Sequence, residues 1–352
     1  MDKVLIKDIA EVVNGSTPST KENSYWDGNI PWITPKDLSA FSGRYISSGE
    51  RNITKEGYLS CSTTLVPKNT ILLTSRAPIG YLAIAKNDLC TNQGFKSLIC
   101  NQSKILPLYM FYWLSTKIEF LKSISGGATF KELSKTSLEN VVMDLPNILQ
   151  QQHIVDTIGT IDDLIENREV LNKKLKQFST DLYESYQLLD SSKTQLSIKE
   201  CCKIKTGKLN ADACEVNGRY PFFTCSREQS LINSYAFDTQ AIIIAGNGDI
   251  NCKFYKGKFN AYQRTYVLEP QSYFFLFLKQ CEASINKLKK ISQGSVIKFI
   301  TKPMLEKIKI QLNDYALSAN KNIEKVYLEM LNNSFEISKL KEIKVLLLKK
   351  YF

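Results

Sequence analysis

The strongest constraint on the fold is that the sequence is written twice. Residues 15–34 read GSTPSTKENSYWDGNIPWIT and residues 207–224 read GKLNADACEVNGRYPFFT. Each phrase opens at a glycine, crosses a polar stretch, meets a second glycine (Gly28, Gly218) and closes on proline, an aromatic residue and threonine. Further on, SGGATFKELSKTSLENVVMDLP (125–146) aligns with SQGSVIKFITKPMLEKIKIQLN (292–313), and Ser125/Ser292, Gly127/Gly294, Lys131/Lys298, Leu138/Leu305 and Glu139/Glu306 share one offset of 167. Gln93 faces Gln263 at an offset of 170 and Pro31 faces Pro221 at 190, so the first copy is longer between shared landmarks. A period of this length is far too long for a solenoid repeat and means two copies of a domain. A chain of 352 residues has room for both.

Each copy has the same internal grammar. TLVPKNTILLTSRAPIGYLAIAKNDLCTNQGFKSLIC and AIIIAGNGDINCKFYKGKFNAYQRTYVLE alternate short β-prone apolar runs with turn residues, which predicts strands. Aromatic-rich helices are expected over 106–124 and 272–291, with Tyr109, Tyr112, Trp113 and Phe120 as a core stripe. A glycine-containing turn and a short strand near Leu145 or Gln311 close each copy.

A long helix follows each copy. In the first, heptad spacing puts Ile161, Arg168, Leu175 and Leu182 at a and Leu164, Leu171 and Phe178 at d. In the second, Ile323, Met330 and Ile337 fall at a and Val326, Leu340 and Leu347 at d, with Asn333 and Arg168 as polar intruders of the kind that fix register. The expected fold class is therefore α+β. Two tandem mixed α/β domains, 1–149 and 191–313, are separated by two long helices, 150–190 and 314–352, packed as an antiparallel coiled coil. A helix of about 38 residues is about 57 Å long at about 1.5 Å per residue. If a pseudo-two-fold axis relates the copies, the heads stand at opposite ends of the helices.

Charge narrows the function. The net charge is +11, and most of it sits in residues 191–312, which hold 19 basic against 9 acidic groups, whereas residues 151–190 hold 4 against 8. A basic internal domain points to a polyanion, most simply nucleic acid, and an acidic helix suits a protein partner better than phosphates. Nine scattered cysteines without a CxxC pair predict reduced thiols. With His153 the only histidine, neither a Cys/His zinc site nor a His-based triad is expected, and no metal site is expected at all. MDKVLIKDIAEVV lacks the features of a secretory signal, and no apolar run is long enough to span a membrane, so a cytoplasmic location is expected. DLPN (144–147) lacks the Pro-Pro-aromatic core of an amino-methyltransferase motif, and AGNGDIN (245–251) reads as a turn or DNA-facing loop, because no GK[ST] or GxxG continuation follows. No catalytic residues are expected.

The head–helix–head–helix layout resembles the specificity subunit of Type I restriction–modification systems across essentially the whole chain. The phrases that carry the likeness are NGSTPSTKENSYWDGNIPWIT, TILLTSRAPIGYLAI and SGGATFKELSKTSLENVVMDLPNILQQQHIV. The second copy departs from it where LNDYALSAN replaces LPNILQQQ. The resemblance implies a non-catalytic subunit with two target-recognition domains, each reading one half of a bipartite DNA sequence. It also implies methyltransferase subunits as partners, with S-adenosylmethionine bound on those partners and no cofactor here, and translocating restriction subunits that join them. Two readings stay open beside it: an orphan or fused methyltransferase or nuclease, and a non-specific nucleic-acid-binding coiled-coil adaptor.

Arg, Lys, Asn and Gln make the useful contacts to phosphates and base edges. The candidates in the first copy are Lys21, Lys36, Arg44, Arg51, Arg76, Gln93, Lys96 and Lys131. In the second they are Lys205, Lys208, Arg219, Arg227, Asn247, Lys256, Lys258, Arg264 and Lys298. Arg76 and Asn247 lie in corresponding loops after an apolar strand, where a base reader is expected. Lys131 and Lys298 recur after a glycine turn and are expected on phosphates. Tyr25 and Trp26 are further candidates, while Trp32 is expected in the core.

Overall fold

The computed structural model describes residues 2–39, 41–127, 131–189, 193–216, 218–226, 229–291 and 299–352. The chain divides into two compact units: Met1–Arg168 with Glu336–Phe352, and Glu169–Phe335. This division differs from the boundaries expected at 149, 190 and 313, because each unit takes half of both long helices. The helices themselves run Ile148–Leu188 and Ala316–Tyr351.

In the first unit a five-stranded sheet has the order Ala10–Asn14, Phe95–Cys100, Ile71–Ser75, Ile79–Ala85, Tyr45–Ile46. Its central strand, ILLTS, is buried at all five residues, as a strand covered on both faces must be. One face packs on the helix Pro107–Thr116, where Tyr109–Leu114 are all buried. The expected helix over 106–124 breaks at Lys117, a second helix covers Ile118–Ser123, and Phe120 is exposed rather than part of the core. A three-stranded sheet, Arg51–Ile53, Trp26–Ile33, Cys90–Thr91, lies beside it. Asp2–Leu5 pairs antiparallel with Val142–Leu145 and closes the unit.

The second unit repeats this plan with fewer residues. Its sheet runs Cys202–Thr206, Thr265–Pro270, Phe237–Ala245, Cys252–Ala261, Tyr220–Phe223, Ser230–Ile232, and Thr194–Ser197 pairs with Lys309–Leu312. Individual backbone contacts recur in the aligned order. Ile6 N donates to Val141 O at 3.1 Å, and Ile198 N to Ile308 O at 3.1 Å. Ser75 N donates to Gly94 O at 2.7 Å, and Gly246 N to Arg264 O at 2.9 Å. Leu133 N reaches Ser75 O at 2.9 Å, and Ile300 N reaches Gly246 O at 2.6 Å. Trp32 pairs with Cys90 in parallel, and Phe222 with Asn260. Val141/Ile308 and Leu133/Ile300 carry the 167 offset of the sequence repeat, Gly94/Arg264 and Cys90/Asn260 the 170 offset and Trp32/Phe222 the 190 offset, while Ile6/Ile198 and Ser75/Gly246 stand within two residues of these values.

Within each unit the two helix segments run antiparallel. In the first, His153 faces Tyr351, Asp162 pairs with Lys344 at 2.7 Å and Arg168 with Glu336 at 2.7 Å. In the second, Asn172 meets Met330 and Asn333, and Leu182, Tyr183 and Tyr186 share a cluster with Ala316, Ile323 and Tyr327. The second helix keeps its expected seam inside: Ile323, Val326 and Asn333 are buried, and Met330, Ile337, Leu340 and Leu347 half-buried.

The first helix requires a correction. Leu164 and Phe178 are exposed, and Ile161, Arg168, Leu171, Leu175 and Leu182 are only half-buried. The covered row is shifted by four residues, to Gln151, Ile158 and Ile165 in the first unit and to Asn172, Ser179 and Tyr186 in the second; Asn172 is half-buried and the others fully so. The reason is competition. Ile154 and Ile158 turn into the core of the head, beside Tyr109 and Tyr112, as well as toward the partner helix. Polar members are tolerated because each is bonded. Gln151 Nε2 donates to Lys104 O and Pro146 O, its Oε1 accepts from Leu106 N, and Ser179 Oγ donates to Lys176 O.

Candidate nucleic-acid interface

The repeated phrase is explained by close packing of backbones. A Cβ on Gly15 would meet the carbonyls of Thr91 and Asn92, and one on Gly207 those of Ala261 and Tyr262. A Cβ on Gly28 would strike Ile53 and Thr54, and one on Gly218 would strike Ile232. Each glycine pair thus pins the two ends of a polar loop against neighbouring strands, and no other residue fits there. The equivalent glutamines hold the same loop from the side: Thr17 Oγ1 donates to Gln93 Oε1, and Gln263 Nε2 donates to Asn210 Oδ1 at 3.1 Å.

In the first unit the loop is fixed further by two indoles. Trp26 Nε1 donates to Ser19 O at 3.1 Å and Trp32 Nε1 to Ser16 O at 3.0 Å. The rings meet edge-on, 5.1 Å between centroids, in a small cluster with Ile53 and Cys90. Trp26 and Trp32 are both 5% exposed and serve the loop's scaffold, with Tyr25 half-buried beside them. Ser19 through Ser24 are all exposed, Lys21 among them. Arg51 lies over the Trp26 ring, 3.6 Å from its centroid, and is itself exposed.

The structure withdraws two candidates from the surface. Arg44 is buried against the first long helix, where its guanidinium binds Glu166 at 2.9 and 3.0 Å and also reaches Asp163. Burial opposes its charge, but the two carboxylates prevail and raise its pKa, while the hydrogen bond from Arg44 lowers that of Glu166 despite partial burial. Lys96 is buried on the central sheet and pairs with Glu132 at 3.4 Å. Both are struts of the first unit. Sequence spacing gave no warning, because their partners are far away in the chain.

Of the rest, Lys36 is exposed but paired with Glu50 at 2.6 Å, and Lys205 with Glu269 at 3.0 Å. Arg76 is half-buried at a cleft lined also by Pro78, Ile79, Lys122, Lys131 and Glu132, which brings Arg76 and Lys131 together. In the second unit Lys208, Arg219, Lys256, Lys258 and Arg264 are exposed, and the Lys258 ammonium stands over Tyr235, 4.7 Å from the ring centroid. Asn247 is half-buried, with an amide oxygen shut off from solvent and without a hydrogen-bond partner among the described residues. Arg227 and Lys298 lie outside the described residues.

Several structural residues escaped the sequence reading. Asp162 accepts from Tyr112 Oη at 2.8 Å and pairs with Lys344, joining head and both helix segments of the first unit. In the second unit Glu282 accepts from Lys279 at 2.8 Å and Tyr327 at 3.1 Å, and Lys279 also donates to Ser179 and Thr180. Asn333 Nδ2 donates to Asn172 Oδ1 at 3.0 Å, so the intruder at 333 has a partner that only the antiparallel register reveals. All nine cysteines are free thiols, and burial pushes Cys100 and Cys281 up to about 12. Among the described residues no cluster of His, Cys, Asp or Glu is placed to hold a metal ion, and no helix is long and apolar enough to cross a membrane.

The geometry agrees with the likeness to known proteins. The chain is 50% identical over 183 residues to the Type I restriction enzyme MjaIX specificity subunit of Methanocaldococcus jannaschii, a match covering 51% of this chain and 42% of the relative. It is 30% identical over 194 residues to the EcoR124I/EcoR124II specificity subunit of Escherichia coli, covering 51% of this chain and 47% of that one. The chain thus spans less than half the length of these relatives. A Type I restriction–modification S subunit from M. genitalium shares the fold, with a TM-score of 0.64 at 18% identity over 100% of this chain and 96% of that one. The model of the Type I restriction modification DNA specificity domain matches residues 1–177 and 192–346. The chain belongs to this family of DNA specificity domains.

Proposed function

We propose that this chain is the non-catalytic, DNA-reading subunit of a Type I restriction–modification complex, with each unit reading one half of a bipartite target. The observation that carries the reading is the duplicated framework with unlike inserts. The same glycine contacts and glutamine clamp frame STPSTKENSYWD in one unit and KLNADACEVN in the other. Two copies of one scaffold with different exposed loops are what two different half-sites require. Lys21, Arg51, Arg76, Gln93 and Lys131 are the contacts proposed for the first unit. Lys208, Arg219, Asn247, Lys256, Lys258 and Arg264 are those proposed for the second, with Lys36 and Lys205 available once their carboxylate partners are exchanged for phosphate. Binding carried by such cations weakens steeply with salt.

In this reading the long helices hold methyltransferase subunits, which carry S-adenosylmethionine and methylate adenine, and restriction subunits join the same complex in the cytoplasm. The test is single-molecule methylation sequencing of DNA from cells expressing the chain with its neighbouring methyltransferase, against the methyltransferase alone. A bipartite adenine-methylated motif that appears only with the chain supports the function. Its absence, with both proteins soluble and associated, overturns it.

A further inference from the structure

We propose that Arg51 is a base-reading residue of the first unit, specific for guanine, with the loop Ser19–Ser24 as the remainder of the same reading edge. The inference rests on the DNA-reading function proposed above and identifies where in the first unit the reading is done.

Arg51 is unlike Arg44 and Arg168 of this unit, and it is more exposed than Arg76, which is half-buried at its cleft. Arg44 is buried on carboxylates, and Arg168 is paired with Glu336. Arg51 is exposed, and its guanidinium carbon lies over the Trp26 ring, 3.6 Å from the ring centroid. A guanidinium over an indole is held by cation–π attraction, and when it stacks through its face its edge of N–H donors stays available to a ligand. That edge is the group that binds O6 and N7 of guanine as a pair in the major groove. Stacking removes side-chain freedom before DNA arrives, so less is lost on binding.

The same indole also fixes the loop. Its ring face carries Arg51 and its N–H holds Ser19 O, so reader and loop share one rigid support. Trp32, Gln93 and Gly15 secure the loop's entry, and Thr54 Oγ1 donates to Ser24 O at 2.8 Å at its exit. Between these anchors Thr20, Lys21, Glu22 and Asn23 present hydroxyl, ammonium, carboxylate and amide groups to solvent. A loop anchored at both ends with exposed polar side chains between, of which Glu22 accepts from Ser24 Oγ at 3.1 Å, is suited to sequence reading rather than to packing.

The experiment compares the unaltered chain with Arg51→Lys and Arg51→Ala, each expressed with the methyltransferase, by methylation sequencing and by binding to duplexes varied one base pair at a time. Arg51→Lys keeps the charge and removes the fork, so methylation persists but one guanine position in one half-site becomes degenerate, with discrimination there reduced roughly 5- to 150-fold. The other half-site stays unchanged. An unaltered motif in both variants overturns the proposal, as does uniform weakening at every site, which marks a phosphate contact. If Arg51→Ala is insoluble, the Arg51→Lys motif decides alone. If the unaltered chain directs no bipartite motif, the functional reading fails rather than the assignment of Arg51 within it.

Discussion

Replacing Arg44 by leucine separates a strut from a DNA contact. The side chain makes a bidentate pair with Glu166, at 2.9 and 3.0 Å, and a further bond to Asp163, and only 8% of it is exposed. Removing one member of a fully buried pair costs about 3–5 kcal/mol. Here the carboxylates are better solvated, Glu166 at 35% and Asp163 at 65% exposure, and they regain water when the cation leaves. The expected loss is about 2–3 kcal/mol. At about 2–4 °C per kcal/mol for a unit of this size, melting of the first unit falls by about 4–12 °C. The pH dependence follows from Glu166, whose pKa the Arg44 bond lowers in the folded state. That stabilisation is present above the unfolded carboxyl pKa and is lost as pH falls through the lower folded value. The gap between the unaltered chain and Arg44→Leu should therefore narrow on acidification from neutral toward pH 3. Chemical denaturation followed by circular dichroism at several pH values measures both. A stability change within about 0.5 kcal/mol, the range of ordinary surface substitutions, together with weakened DNA binding would refute the strut and restore Arg44 to the interface.

Two further substitutions test the framework. Gly207→Ala, like Gly15→Ala, drives a methyl into backbone carbonyls and should cost several kcal/mol or prevent folding, whereas a Cβ on Gly126 meets nothing within 4 Å, so Gly126→Ala should leave thermal stability nearly unchanged. Asn333→Leu alone leaves the Asn172 amide oxygen without its donor and should lose about 1–2 kcal/mol. Asn172→Leu combined with Asn333→Leu should recover that loss or exceed it, as apolar replacements of buried polar pairs often do. Urea titrations of the single and double variants decide, and a double variant less stable than both singles counts against the pairing.

What the sequence made legible was local and repeated. The phrases around Gly15 and Gly207 mark a shared scaffold because each glycine answers a backbone approach that no side chain tolerates. Apolar runs such as ILLTS and AIIIA marked the buried central strands, since a strand covered on both faces leaves no polar alternation. The second helix seam was legible from spacing alone: Ile323, Val326 and Asn333 are buried where the heptad put them. The first seam was not, because Ile158 serves the head as well as the partner helix, and a periodicity argument assumes a single packing surface.

The candidate site was less legible than the fold. A lysine or arginine at a given position reads the same in sequence whether it meets water, phosphate or a carboxylate from another element. Arg44 and Lys96 meet carboxylates supplied 122 and 36 residues away, while Arg51 meets an indole 25 residues before it. By itself, then, the sequence determined that one domain plan is used twice, that long helices follow each copy, and that both copies carry cationic loops. Only the tertiary structure decided which cations are spent as struts, which asparagine faces Asn333, and which arginine rests on Trp26. The physical reason is that backbone clashes and hydrophobic periodicity act over a few residues, whereas the partner of a charge is chosen by folding.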